Sequence, residues 1–307
     1  MTSPAAALTK PDAAALPVLG VAAALTTMLL WAAGLAITRF GVTHALSLWD
    51  VIFLRLTAPA LLLIPVLFKL GPGFARGRYG SVSLVVLCAG LPFVCVSSAG
   101  TLFAPAAHAG AMMPGTMPLF TALLAWVVLR EMVGRTRLIG FACILVGVIA
   151  LGGYHLFAGE PGLWRGHLLF LLGGSLWATY TLAVRQSGLS PWHGAAVIYV
   201  YSWLLYLPIY FLALEPRLLQ VPAFEVWLQV TQSIFSGLVS MYTYGYAVRS
   251  LGPGRAAAFA ALVPALAALL AIPLLGEWPE PVTWGGIALI GTGVALASGA
   301  VALRRFQ

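Results

Sequence analysis

Long apolar runs separated by short polar breaks organise the chain. A membrane-crossing helix needs about 20 consecutive apolar residues. The first such run covers about 17–38 and closes at Arg39, and the second, about 48–68, carries Asp50 and Arg55. Residues 80–129 contain no Lys, Arg, Asp or Glu. That stretch is too long for one crossing, and Pro105 divides it into two. The pattern then predicts helices over about 138–156, 166–184, 191–214, 226–248, 256–275 and 281–303. The expectation is an all-α integral membrane protein of ten helices. Residues 1–16 should form a tail. The run after them is expected to be a retained first span, because Ala13, Ala14 and Ala15 precede it, whereas a signal cleavage site should follow it.

Composition agrees. Of 307 residues, 61% are hydrophobic and 8% charged, against about 25% charged in soluble domains. Such a chain cannot cover itself against water, so its outside must face lipid. The net charge of +8 is spread between the apolar runs, which argues against nucleic acid and for a topological role. With the N-terminus inside, twelve basic residues fall in cytoplasmic breaks and three (Arg39, Arg165 and Arg217) in outer ones. Both termini are therefore expected in the cytoplasm of a bacterial inner membrane. Cys88, Cys95 and Cys143 all lie in apolar runs, without disulfide or metal-ligand spacing.

The chain repeats itself at an offset of 146 residues. Trp31 corresponds to Trp177, Arg39 to Arg185, Pro118 to Pro264 and Glu131 to Glu277. Gly140, Gly147 and Gly153 correspond to Gly286, Gly293 and Gly299, and 12 of the 33 positions from Thr121 to Gly153 match their counterparts. The halves are expected at 17–156 and 166–303, joined by an outer linker at 157–165 and followed by a tail at 304–307. Each half has five helices, an odd number, so the second enters the membrane from the opposite side. Inverted repeats are a transporter signature, because exchanging the halves' conformations turns an inward-open cavity outward.

The repeated segments Trp31-Ala-Ala-Gly-Leu-Ala-Ile-Thr-Arg39 and Pro118 to Glu131, with Ser175-Leu-Trp177-Ala and Pro264 to Glu277, resemble the EamA-type members of the drug/metabolite transporter superfamily. The first half departs from the family's Gly-Glu ending, with Arg130 before Glu131. The resemblance implies ten helices around a central cavity and export of small metabolites by alternating access. Within the superfamily the chain looks most like the YddG-type exporters of aromatic and hydrophobic amino acids.

Candidate substrate contacts are few. Trp31 and Trp177 lie mid-helix at equivalent positions, suited either to packing or to substrate. His108, Met112 and Gly115 share one helical face, and His108 alternatively reads as an interfacial histidine. Phe235, Val239, Tyr242 and Tyr246 form an aromatic stripe above Gln232, with Tyr244 off that face. Pro92, Pro114, Pro118 and Pro264 are candidate hinges or simple kinks. Arg55 could bind a carboxylate, but snorkelling toward Asp50 or water is expected. Glu131 and Glu277 should complement the N-terminal dipoles of the fifth and tenth helices.

No phosphate-binding G-x-x-x-x-G-K-[ST] loop is present, and no cofactor or metal is implied. A carrier of lipophilic cations usually needs a buried negative partner; small multidrug relatives have one in their first helix, and the first helix here has none. A nucleotide-sugar carrier would need several cavity cations, and only Arg55 is available. An intramembrane hydrolase would need Ser97 or Ser98 beside His108. The remaining partners are a small-molecule substrate and lipid, with a monomer sufficient. Proton coupling and facilitated diffusion both stay open.

Overall fold

A computed structural model describes residues 15–74, 78–130, 134–157 and 161–299. Ten helical rods run through them. They are α1 (Ala15–Thr43), α2 (Leu48–Leu70), α3 (Tyr79–Ala89 and Leu91–Phe103), α4 (Ala106–Leu129), α5 (Arg135–Phe157) and α6 (Leu163–Ser187). Then follow α7 (Pro191–Leu212), α8 (Ala223–Ile234, Phe235–Val239 and Ser240–Leu251), α9 (Pro253–Ala258, Phe259–Leu262 and Val263–Leu275) and α10 (Pro281–Ala297). Eight are long and apolar enough to cross a membrane; α10 is apolar but shorter, and α8 is segmented. Large apolar side chains such as Leu61, Leu62, Leu123, Val127 and Ile149 are exposed, as a lipid-facing surface requires.

α1 continues past Arg39 to Thr43, so Arg39 lies within the helix instead of closing it. Proline acts differently at different sites. Pro114 and Pro118 lie inside α4, whose helix continues through both. Pro92 and Pro264 instead occupy the first turns of Leu91–Phe103 and Val263–Leu275. The N–H that proline lacks is unpaired there anyway, so these two begin helical segments instead of interrupting them. The break in α3 falls at Gly90, where a Cβ would lie 2.0 Å from Ser202 Oγ and 2.3 Å from Val86 O. Only glycine lets α3 and α7 approach so closely. The equivalent position is Ser236, in the π-helical turn Phe235–Val239 of α8. Both halves thus interrupt the same helix at the same point.

The repeat is visible in the packing. α5 packs on α10, α2 on α7 and α4 on α9, each helix against its own counterpart. The remaining main pairs come in equivalent couples: α1 with α8 and α6 with α3, α4 with α6 and α9 with α1. At the α5–α10 seam, a Cβ on Gly140 would meet Gly293 O and one on Gly147 would meet Gly286 O. An offset of 146 carries the first contact into the second. Residue numbers rise along α5 as they fall along α10, so the helices are antiparallel. A two-fold relation between antiparallel counterparts has its axis across the helices, which is the geometry of inverted halves. Near this axis Trp203 Nε1 donates to Thr57 Oγ1 at 3.1 Å, joining residues 146 apart.

A left-handed residue ends α4 and α9 alike. Arg130 (φ 56°) and Gly276 (φ 67°) occupy equivalent positions, and their N–H groups reach the carbonyls of Ala125 and Trp126, and of Ala271 and Ile272. The first half therefore makes with arginine the cap that the second makes with glycine.

Candidate functional site

A cavity lies between the halves. Trp31, Gly34 and Leu35 of α1, Arg55 of α2 and Phe93 of α3 line it, with Met113, Pro114 and Met117 of α4. The second half adds Trp177 of α6, Tyr199 of α7, Gln232 and Ser236 of α8, and Val263 of α9. Both repeat tryptophans are therefore on its wall. Trp31 Nε1 donates to Ser240 Oγ at 3.1 Å, which satisfies the indole, and its ring lies 5.6 Å from that of Tyr244. Trp177 packs on Phe93 at 5.1 Å.

Arg55 does not snorkel. Its guanidinium lies in the cavity wall, where Nη1 donates to Thr38 Oγ1 at 2.9 Å and Ser98 Oγ at 3.3 Å. Both partners are neutral, and Arg55 has no carboxylate partner among the described residues. Asp50 is occupied elsewhere: with Ser47 it forms the capping box of α2, and it accepts from Tyr210 Oη (2.5 Å) and the Arg217 N–H (3.3 Å). Across the cavity, Gln232 Nε2 donates to Ser236 Oγ at 2.8 Å. Gln232 Oε1 is buried without a hydrogen-bond partner among the described residues. An apolar, aromatic chamber thus carries one cation and one open acceptor.

The aromatic stripe of α8 does not face this chamber. Phe235 and Tyr242 are 46% and 59% exposed, and Phe235 lines a shallow groove between α1 and α8. Tyr246 is half-buried. The π-helical turn inserts a residue and rotates everything after it. The inward row therefore runs Gln232, Ser236, Ser240 and Tyr244, so the tyrosine expected off the face is the one packed on Trp31. A uniform 3.6-residue period hid this.

His108 and Met112 also lie away from the chamber. Met112 is 1% exposed, within the core, and an added Cβ on Gly115 would meet Ile290. His108, 3% exposed, is within bonding distance of His167 (2.9 Å) and Thr283 (3.3 Å). It lines a second cavity with His155, Glu277, Glu280 and Thr283. Ser97 Oγ donates to Val94 O, while Ser98 accepts from Arg55. Neither serine is bonded to His108, so the arrangement a hydrolase needs is not formed.

Beside that cavity, Glu277 Oε1 accepts from Arg39 Nε at 2.7 Å, and Arg39 Nη1 also donates to Thr101 O. Glu277 Oε2 accepts from the Ala106 N–H at 3.0 Å. The carboxylate does sit at a helix N-terminus, but that of α4 and not of α10. With Arg39 it ties α1, α3 and α4 to the segment after α9. Glu131 lies outside the described residues.

Two stretches, 18–153 and 164–299, match the model of the EamA-like transporter family, and their starts differ by the same 146 residues as the repeat. The chain belongs to the EamA-like transporter family. It is similar to an uncharacterized inner membrane transporter, YedA, of Escherichia coli K12, with 26% identity over 92% of this chain and 91% of that protein. A probable terminal-alkyne amino-acid exporter of Streptantibioticus cattleyicolor is 26% identical over 88% of this chain and 90% of its own length. One crystal structure shares the fold with a TM-score of 0.64, at 21% identity over 94% of this chain and 99% of the other. This EamA-family chain is therefore a multi-pass membrane transporter, and its central cavity is the candidate substrate site.

Proposed function

We propose that the chain exports amino acids with hydrophobic or aromatic side chains by alternating access, as a monomer with both termini in the cytoplasm. One observation carries the reading: Arg55, held by two neutral hydroxyls, faces a chamber walled by Trp31, Phe93, Trp177 and Tyr199. An arginine without a carboxylate partner, in an apolar enclosure, favours an anion, and its planar donors match a carboxylate. Gln232 Oε1 provides an acceptor for the ammonium. The aromatic and methionine walls then take the side chain. The name of the Streptantibioticus relative points to the same class.

A lipophilic cation is the rival cargo. It would meet the Arg55 charge, and no carboxylate is among the described residues that line the chamber. Alternating access would use the two halves as the moving bodies. Pro114 lines the chamber, and it and Pro118, one turn further along α4, are the proline candidates for a bend there. The Arg39–Glu277 pair supports reading this conformation as closed at that end, taken as the outer one from the distribution of basic residues.

The test is counterflow in liposomes containing the purified protein, with labelled leucine, labelled phenylalanine and tetraphenylphosphonium offered separately. Leucine or phenylalanine should exchange. Arg55→Gln should weaken apparent affinity about 10- to 100-fold, the worth of a charge-assisted hydrogen bond of about 1.5–3 kcal/mol. Exchange of the cation alone, accelerated by Arg55→Gln, would overturn the reading.

A further inference from the structure

Where α1 passes α8, their outer faces leave a groove lined by Ala33 and Ile37 of α1 and by Thr231 and Phe235 of α8. Gly34, Gln232 and Ser236 line it too, and the same three residues line the chamber. They form the partition between the two spaces. The partition is thin. Gly34 has no side chain, and a Cβ there would lie 2.9 Å from Gln232 Nε2 and 3.1 Å from Ser236 Cβ. Gln232 is held through its Nε2, which donates to Ser236 Oγ at 2.8 Å and to Gly34 O at 3.5 Å. Its Oε1 has no hydrogen-bond partner among the described residues.

The repeat shows that the fold does not force this groove. Carried by 146 residues, the α1–α8 seam becomes the α6–α3 seam. There Tyr180 stands in the place of Gly34, and Val85, Ala89 and Ala183 stand in those of Thr231, Phe235 and Ile37. Val85, Ala89 and Ala183 are buried in one apolar cluster, and Tyr180 packs against it. Thr231 and Phe235 are exposed. One seam is filled by protein, and its counterpart is left open.

The surroundings decide what fills the open seam. Leu29 on α1 and Trp227 on α8, each one turn from the groove, are 46% and 67% exposed. The groove therefore continues the lipid-facing surface, and its α1 wall lies inside the first span, Val18–Thr43. Its open surface is apolar and offers water no partner. A void would forfeit dispersion contacts along both walls. An amino acid would have to carry its charges through hydrocarbon. A methylene chain meets none of these costs. No hydrophobic drive separates the groove from the bilayer, so the preference comes from packing between two helices.

We propose that the groove is a lipid-tail site: one acyl chain of a bilayer phospholipid lies between α1 and α8, against Gly34 and Gln232, and backs the wall of the chamber. The inference rests on the membrane-spanning fold and not on the amino-acid substrate.

The test uses the full chain in vesicles of phosphatidylethanolamine and phosphatidylglycerol, with a trace of phosphatidylglycerol carrying a diazirine midway along one chain. After ultraviolet illumination, digestion and mass spectrometry locate the adducts. Peptides covering 30–37 and 228–236 should carry at least about fivefold more label than those covering the exposed Leu61 and Leu62 of α2 or Ile149 of α5, an excess that about ten added dispersion contacts supply. Ala33→Trp fills the groove with protein and should bring those peptides down to the reference level. Should it fail to fold, Thr231→Trp, at an exposed position, must do the same. Gln232→Ala opens the partition and should add label at Met113 and Met117, on the chamber wall. Groove label no higher than the reference, or unchanged by the tryptophan, would overturn the site. A chamber left unlabelled in Gln232→Ala would overturn the claim that the tail backs its wall. The same digest reports other occupants. Groove label lost on adding saturating phenylalanine would assign the groove to cargo, and label lost on raising the protein-to-lipid ratio would assign it to a second copy of the chain; either result overturns the proposal.

Discussion

The α5–α10 seam offers the sharpest test of the helix register, because its glycines, although equivalent in sequence, are not equally tightly packed. A Cβ on Gly293 would lie 2.5 Å from Gly140 O, 2.7 Å from Ile144 Cγ1 and 2.8 Å from Ile144 N. Ordinary separations of about 3.5 Å would require the helices to part by nearly 1 Å. Two of these contacts are backbone and cannot turn aside, so an overpacking cost of about 2–3 kcal/mol is expected. Alanine's better helix propensity returns about 1 kcal/mol, leaving Gly293→Ala destabilised by about 1–2 kcal/mol. Gly140→Ala should behave likewise, since its Cβ would lie 2.6 Å from Gly293 O and 2.7 Å from Ala297 N. At Gly286 the nearest atoms are Leu151 Cβ at 3.3 Å and Gly147 O at 3.4 Å. There alanine nearly fits, and Gly286→Ala should be neutral or stabilising by up to about 1 kcal/mol. Thermal unfolding in detergent, followed by tryptophan fluorescence and by the monodisperse fraction after heating, should place Gly286→Ala level with or above the parent and the other two below it. Equal damage at Gly286 and Gly293 would refute the register of this seam.

Other expectations follow from single positions. Arg130 holds a left-handed backbone that costs a non-glycine residue about 1–2 kcal/mol, so Arg130→Gly should raise the melting temperature, and an unchanged or lower one would contradict the shared cap. Trp203→Phe and Thr57→Val each remove the hydrogen bond near the axis; a double-mutant cycle should give a coupling of about 0.5–1 kcal/mol, and additive effects would mean that the bond is not formed. Glu277→Gln removes the charge that holds Arg39, and should increase labelling of Leu35→Cys, a chamber position, by an impermeant maleimide, with Cys88, Cys95 and Cys143 replaced by serine; unchanged labelling would show that the pair does not hold that end closed. Asp50→Asn weakens an acceptor that joins α2, α7 and the segment after it, and should lower thermal stability while leaving the apparent affinity for leucine unchanged.

The apolar runs and the offset of 146 made the architecture legible, because each depends only on which positions meet lipid. The transporter family followed from the same repeat. The chamber was legible where symmetry marked it, at Trp31 and Trp177. It was misread where local geometry departs from an ideal helix: the π-helical turn brings Tyr244 onto the inward row and leaves Tyr242 exposed. Arg55 was misread for another reason. Its alternatives, water or Asp50, assume that Asp50 is free, and only the fold brings Tyr210 and the Arg217 N–H to Asp50 from residues far along the chain. The available signal was the lone cation inside a span, which is costly enough in lipid to imply a task. His108 carried the same signal, and His155 and His167 were absent from the reading because they fall at the ends of different helices. What the two cases share is departure from the repeat: neither Arg55, opposite Tyr201, nor the histidines have an ionising counterpart of their own kind. In a molecule built by duplication, symmetric positions serve the exchange of conformations, while asymmetric ones can give that exchange a cargo.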